Sequence, residues 1–146
     1  MKKRLLVADD DPGIRASLAR LLEQSGYAVT TAEDGAEAFR LLRLDEIDLL
    51  LLDLEMPKRD GWDVFQRLTA SRSLLPIIII TGKAHELATR IIPGIAAIFE
   101  KPVEAAELLL KIQELLAEDD ATRLRRLTLQ RQQCLDSGRP TRLLPI

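Results

Sequence analysis

The stretch that decides the fold is residues 47–61, IDLLLLDLEMPKRDG. Its apolar run ends abruptly at Asp53. An apolar run of this length without alternation predicts a strand buried on both faces, as in a parallel sheet covered by helices. Pro57 and Gly61 then take the chain out of the sheet. We therefore expect Asp53 at the carboxyl end of a central strand, on the rim where open α/β sheets bind ligands.

The rest of the chain alternates between strand-like and helix-like patterns. Three further apolar runs predict strands at residues 4–8, 76–81 and 95–100, and a more polar run predicts one at residues 27–31. Caps and helical spacing predict helices after Asp11, after Asp34, at 62–70, at 85–92 and from about Pro102. Five strand–helix alternations predict an α/β fold with helices on both faces of a parallel sheet.

Composition sets the broad class. The chain has 146 residues, 47% of them hydrophobic and 30% charged, which is typical of one globular domain. A net charge of -2 gives no general attraction to nucleic acid or anionic membranes. The single cysteine excludes an internal disulfide, and no apolar stretch is long enough for a membrane span, so we expect a cytoplasmic location. Neither GxGxxG nor GxxxxGK[ST] occurs, which argues against a nucleotide binder of either type.

Polar residues follow the predicted strands at their carboxyl ends: Asp9, Asp10, Asp53, Thr81 and Lys101. Parallel strands bring such ends to one rim, where carboxylates repel one another unless a cation bridges them. Oxygen ligands without His or Cys select Mg²⁺ or Ca²⁺, and an open site suits Mg²⁺ carrying a phosphate. A lysine and a hydroxyl would stabilise phosphoryl oxygens, and an aspartate can be the nucleophile. The pattern therefore predicts Mg²⁺-assisted phosphorylation of Asp53.

Four motifs together resemble one family. They are LLVADDDP, DLEMPKRDG, the apolar strand that ends in Thr81-Gly82, and Lys101-Pro102. In this order they resemble the receiver domain of bacterial two-component response regulators, the CheY-like superfamily, over residues 2 to about 118. The resemblance implies a flavodoxin-like (βα)5 three-layer sandwich with strand order 2-1-3-4-5.

The resemblance also implies roles for single residues. Asp53 would be the phosphoacceptor, Lys101 would contact the phosphoryl oxygens, and Thr81 would follow the phosphoryl group and trigger the switch. Mg²⁺ would be bound by Asp10, Asp53, the backbone carbonyl of Glu55 and, through water, Asp9. The Lys101–Pro102 peptide bond would be cis, as is usual in the family.

The expected function is a phosphorylation-controlled binding module. A sensor histidine kinase or phosphotransfer protein would phosphorylate Asp53, and the change would switch binding to a downstream protein. Such a receiver catalyses only its own phosphorylation and dephosphorylation. The alternatives are a receiver fragment of a larger response regulator and a dimerising scaffold with an altered phosphate response. A turnover phosphatase is disfavoured, because Glu55 stands where those enzymes commonly carry a second Asp.

Two places differ from the family pattern or invite a local hypothesis. The family usually carries Tyr or Phe three residues before the lysine, where this chain has Ile98, followed by Phe99. Strand alternation would place Phe99 on the opposite face, so the switch would work differently. Glu55 and Lys83 are expected to approach one another at the mouth of the site.

Residues 119–146 lie beyond the predicted receiver, which we place at residues 1–118. A basic helix is expected at residues 121–135, and the last residues are expected to be disordered. The apolar seam of this C-terminal helical extension would pack on the receiver or on a second copy of the chain, giving a possible homodimer. Direct nucleic-acid binding is not expected, because the tail is too short for a DNA-binding output domain.

Overall fold

The strands and helices that the structure describes follow one another in the order that the sequence predicts. A computed structural model of the chain describes residues 2–56, 60–71, 73–84 and 92–136. The strands are β1 Arg4–Ala8, β2 Ala28–Ala32, β3 Leu49–Asp53, β4 Ile77–Thr81 and β5 Ile95–Glu100. The helices in these residues are α1 Pro12–Gln24, α2 Gly35–Leu44, α3 Asp60–Ala70, α4 Ala105–Ala117 and α5 Asp120–Asp136. None of them is long and apolar enough to cross a membrane.

All five strands are parallel and form one sheet in the order β2-β1-β3-β4-β5. The apolar strand β3 lies at the centre, with β2 and β5 at the two edges. This is the flavodoxin-like order that the family resemblance implies, and the C-terminal helix α5 is present as well. The predicted fold is therefore confirmed.

The sheet separates two apolar cores, which makes the three-layer sandwich. Alternate residues of β3 enter each core, because successive side chains of a strand point to opposite faces. One core joins Leu50 and Leu52 to helices α2 and α3. The other joins Leu49 and Leu51 to helices α1 and α4. All residues of β3 are buried, as its unbroken apolar run predicts.

Two helices begin at the aspartates that the sequence marks as caps. Asp11 accepts hydrogen bonds from the N–H groups of Gly13 and Ile14 at the start of α1, at 2.8 and 3.3 Å. Asp34 accepts one from the N–H of Glu37 at 2.8 Å at the start of α2. These bonds satisfy backbone donors that have no partner within the helix.

Some predicted boundaries are wrong by one to three residues. Strand β2 begins one residue late and helix α3 begins two residues early. Helix α4 begins at Ala105 and not near Pro102, because Glu104 is its cap and accepts hydrogen bonds from Ala106 and Glu107. The Lys101–Pro102 peptide bond is cis, as expected. The helix predicted at residues 85–92 falls, except for its last residue, outside the described residues, as do residues 137–146 at the C-terminus.

Ile98 and Phe99 of β5 do lie on opposite faces of the sheet. Ile98 packs on the core shared with α2 and α3, and Phe99 packs on the core shared with α1 and α4. The alternation predicted for this strand is confirmed. The aromatic ring is therefore on the far side of the sheet from the position where the family usually carries one.

Substituting a leucine of β3 tests how strongly burial of this strand on both faces stabilises the fold. Leu50 is fully buried, and Leu50→Ala removes apolar contacts and leaves a cavity. We expect the free energy of unfolding to fall by about 3 kcal/mol in urea titrations. The control is Leu44→Ala, because Leu44 is 69% exposed and its loss should cost less than about 0.5 kcal/mol. Equal losses for the two variants would contradict this picture of the core.

Candidate functional site

The parallel register brings two aspartates together at the carboxyl rim of the sheet. Ala8 of β1 pairs with Leu52 of β3, so Asp9 and Asp53 follow at neighbouring strand ends. Both side chains are buried, with 2% of each residue exposed. Buried carboxylates are costly unless they meet a cation or hydrogen-bond donors. The surrounding residues supply both.

Lys101, which follows β5 directly, reaches across the rim to both aspartates. Its Nζ lies 3.1 Å from Oδ2 of Asp9 and 3.3 Å from Oδ2 of Asp53. Its backbone N–H donates to the carbonyl oxygen of Thr81 at 3.0 Å, which ties the lysine to the end of β4. The predicted convergence of Asp9, Asp53 and Lys101 is therefore present in the structure.

The second oxygen of each buried carboxylate is held by the backbone. Oδ1 of Asp53 accepts a hydrogen bond from the N–H of Glu55 at 2.8 Å. Oδ1 of Asp9 accepts one from the N–H of Asp11 at 2.9 Å. Each aspartate thus has one oxygen on a backbone N–H and the other on the Lys101 ammonium, which fixes the orientation of both side chains.

Asp10 completes an acidic cluster that fits a divalent cation. Carboxylate oxygens of Asp9, Asp10 and Asp53 lie within 4.8 Å of one another, and the Asp10 side is exposed. Three carboxylates and one ammonium leave two uncompensated negative charges. An all-oxygen donor set that stays open to solvent suits Mg²⁺, which keeps several water ligands. The residues therefore fit the metal that the sequence predicts.

The ionisation of Asp53 is shifted by its surroundings. Burial and, to a smaller extent, the neighbouring Asp9 raise the pKa of the Asp53 carboxyl to about 6, although the Glu55 N–H and Lys101 act to lower it. Burial alone would lower the pKa of the Lys101 ammonium, but attraction from Asp53 and Asp9 outweighs it and the pKa is raised. Lys101 therefore stays charged beside the acids.

Thr81 and Glu55 lie next to the cluster without joining it. Thr81 is buried, and its hydroxyl accepts a hydrogen bond from the N–H of Lys83 at 3.1 Å. Glu55 presents its N–H to Asp53, while the metal-binding role of its carbonyl stays a prediction. Among the described residues, Glu55 and Lys83 form no ion pair. The Glu55 carboxylate instead lies close to Gly82, 3.4 Å from where a Cβ would stand.

Two residues have roles at the site that the sequence prediction does not give them. The Arg15 guanidinium donates to the carbonyl oxygen of Asp9 at 2.7 Å and so holds the loop of the acidic pair. Gly61 packs so tightly that a Cβ there would lie 2.2 Å from the carbonyl oxygen of Asp53. An arginine in a first helical turn and a glycine in a helix are weak signals, so only the tertiary contacts reveal them.

Comparison with known proteins decides the family. The family model of the response regulator receiver domain matches residues 5–113. The chain belongs to this family. The chain is 38% identical over 124 residues to response regulator MprA of Mycobacterium avium, and this match covers 81% of the chain and 54% of MprA. It is 37% identical over 139 residues to MprA of Mycobacterium tuberculosis, and this match covers 88% of the chain and 60% of that MprA. The chain thus spans a little over half the length of these relatives.

Solved structures show the same fold. A receiver domain protein from Methanospirillum hungatei superposes with a TM-score of 0.72 at 30% identity, and the superposition covers 80% of this chain and 94% of that chain. The response regulator TrrA of Thermotoga maritima gives a TM-score of 0.71 at 33% identity, and the superposition covers 77% of this chain and 98% of the TrrA chain. The TrrA structure is a complex with Mg²⁺ and BeF.

The raised pKa of Asp53 predicts a pH-dependent effect of Asp53→Asn. The folded chain binds this proton more tightly than the unfolded chain, so Asp53 destabilises the fold increasingly as pH rises from 3.8 through about 6. Without Mg²⁺, we expect Asp53→Asn to raise the free energy of unfolding by about 2 kcal/mol at neutral pH and little at acidic pH. Urea titrations over this range measure it, with the exposed Asp63→Asn as control. Equal stabilisation at every pH would contradict burial as the cause.

Proposed function

We propose that this receiver is phosphorylated on Asp53 in a Mg²⁺-dependent reaction and thereby controls binding to another protein. The observation that carries the proposal is the contact of Lys101 with both Asp9 and Asp53 at a buried strand end. The phosphoryl donor would be a histidine kinase or a phosphotransfer protein, and a cytoplasmic location belongs to the same proposal. Residues 1–118 would form the receiver and 119–146 its extension.

The chemistry follows from the position of the Asp53 carboxylate. One of its oxygens attacks the phosphorus of a phosphohistidine, and the P–N bond breaks as the P–O bond forms, leaving the electron pair on the imidazole. Lys101 offers its ammonium to the phosphoryl oxygens. The Glu55 N–H keeps the carboxylate oriented during the attack.

The acidic cluster supplies the metal site for this step. Asp10, Asp53 and the backbone carbonyl of Glu55 would bind Mg²⁺, with Asp9 acting through water. When bound, Mg²⁺ neutralises charge on the phosphoryl oxygens. The complex of TrrA with Mg²⁺ and BeF supports this assignment by similarity.

The switch would start from the added charge. A phosphoryl group adds about -1.5 to -2 charge at neutral pH. Thr81 would give up the Lys83 N–H and follow the phosphoryl oxygens, which moves the end of β4. A partner that prefers the new arrangement then reads the signal. This receiver is not a turnover enzyme in this scheme.

A second candidate is a receiver fragment of a larger response regulator. The MprA relatives are nearly twice the length of the matched segment, which supports this alternative. Phosphorylation of Asp53 is common to both candidates. A dimerising scaffold with an altered phosphate response is the third, and the position of Ile98 keeps it open.

Phosphorylation by a small phosphodonor tests the proposal directly. We expect wild-type protein incubated with acetyl phosphate and Mg²⁺ to gain the mass of one phosphoryl group, which intact-mass spectrometry measures. Asp53→Asn should gain none, because it lacks the nucleophile. Asp63→Asn, with an exposed aspartate on α3, is the matched control and should react like wild type. Labelling of Asp53→Asn, or labelling that does not depend on Mg²⁺, would refute the proposed site.

A further inference from the structure

A single glutamine attaches helix α5 to the edge of the sheet. Oε1 of Gln130 accepts a hydrogen bond from the N–H of Gly94 at 3.1 Å, and its Nε2 donates to the carbonyl oxygen of Ile95 at 3.0 Å. Strand β5 is an edge strand, so its outer peptide groups have no neighbouring strand. The Gln130 amide takes the place of a neighbouring peptide group. We call this pair of bonds the Gln130 clasp.

Two arginines on the same face of α5 support the clasp. Nη2 of Arg123 donates to the carbonyl oxygen of Leu115 at 3.1 Å, at the last turn of α4. Nη1 of Arg126 donates to both carboxylate oxygens of Glu118. Residues 123, 126 and 130 are three and four positions apart, so they lie on one side of the helix. Helix α5 therefore docks on the receiver by that side.

The distribution of charge favours docking within the chain. Residues 1–118 carry 15 basic and 20 acidic side chains, a net charge of -5, whereas residues 119–146 carry six basic and three acidic ones, a net charge of +3. Opposite net charges attract, and the attraction weakens as salt increases. A basic extension next to an acidic receiver is thus drawn to it even without the clasp.

Gly94 connects the clasp to helix α3. Its φ of 102° lies in the left-handed region that glycine adopts without a steric penalty. A Cβ on Gly94 would lie 2.5 Å from Cγ2 of Thr69 and 3.4 Å from Cζ of Phe65, both on α3. The backbone that Gln130 holds from one side therefore rests directly on α3 from the other.

The opposite end of α3 rests on the backbone of the phosphoacceptor. A Cβ on Gly61 would lie 2.2 Å from the carbonyl oxygen of Asp53 and 2.8 Å from Cα of Leu54. No space separates the first turn of α3 from this backbone. Helix α3 thus touches the Asp53 site at one end and the residue held by the Gln130 clasp at the other.

We propose that helix α5 is coupled to the Asp53 site through α3 and Gly94, and that phosphorylation of Asp53 loosens the Gln130 clasp. A phosphoryl group bonded to Asp53 occupies one of the two oxygens that now accept from Glu55 and Lys101, so the turn after β3 rearranges. Because α3 packs on that turn without a gap, it shifts and disturbs Gly94. This route needs no aromatic side chain at position 98. It rests on the proposed function of Asp53.

Hydrogen exchange of the full chain tests the coupling. We expect Mg²⁺ with beryllofluoride, a mimic of the phosphoryl group, to speed amide exchange in α5 roughly fivefold, the size of a modest coupling between sites. Gln130→Ala should show fast exchange in α5 with and without the mimic. Gln133→Ala is the matched control, because Gln133 is an exposed glutamine on the same helix, and it should behave like wild type.

Binding of the mimic supplies the reciprocal measurement. Coupling acts equally in both directions, so Gln130→Ala should bind the mimic about fivefold more tightly than wild type and Gln133→Ala. Calorimetric titration measures this. If the mimic binds but α5 exchange and these affinities stay unchanged, the coupling is wrong and the proposed function stands. If wild type binds the mimic no better than Asp53→Asn, the proposed function fails and the coupling fails with it.

Discussion

The burial of β3 on both faces is the constraint on which the rest of the molecule depends. Its leucines enter two separate cores, so each face of the sheet must be covered by helices. Covering both faces requires crossover connections, and these keep the strands parallel. Parallel strands end at the same rim, and that is why Asp9 and Asp53 become neighbours although 44 positions separate them in the chain.

The acidic cluster is placed there at a cost in stability. Asp53 is buried beside a second carboxylate, and its pKa of about 6 shows that the charged form is disfavoured in the folded chain. Lys101 offsets part of that cost by contacting both acids. A carboxylate whose negative charge is destabilised by its surroundings is poised to accept a divalent cation, or a phosphoryl group that such a cation holds. The same interactions that weaken the fold thus prepare the site for its proposed chemistry.

The extension after the receiver covers an exposed edge of the same sheet. Strand β5 ends the sheet, and an open edge offers unpaired peptide groups. The Gln130 clasp satisfies the Ile95 carbonyl of this strand and the Gly94 N–H just before it, and it does so from a helix, which a strand-based prediction does not anticipate. Because Gly94 also touches α3, the helix that covers the sheet edge is connected to the acidic site. Phe99 lies on the opposite face of the sheet from position 98. The proposed coupling through α3 and Gly94 does not depend on an aromatic side chain at that position.

The sequence by itself determined the fold, the family and the convergence of Asp9, Asp53 and Lys101. Apolar runs, caps and the four motifs were enough to predict them. These features are local or repeat a known pattern, so they can be read without coordinates. The start of α4 was missed because Glu104, and not Pro102, caps it. Only the tertiary structure decided the roles of Arg15, Gly61 and Gln130. Their partners lie across the fold or on the backbone, and side-chain contacts of that kind leave no periodic signal in a sequence.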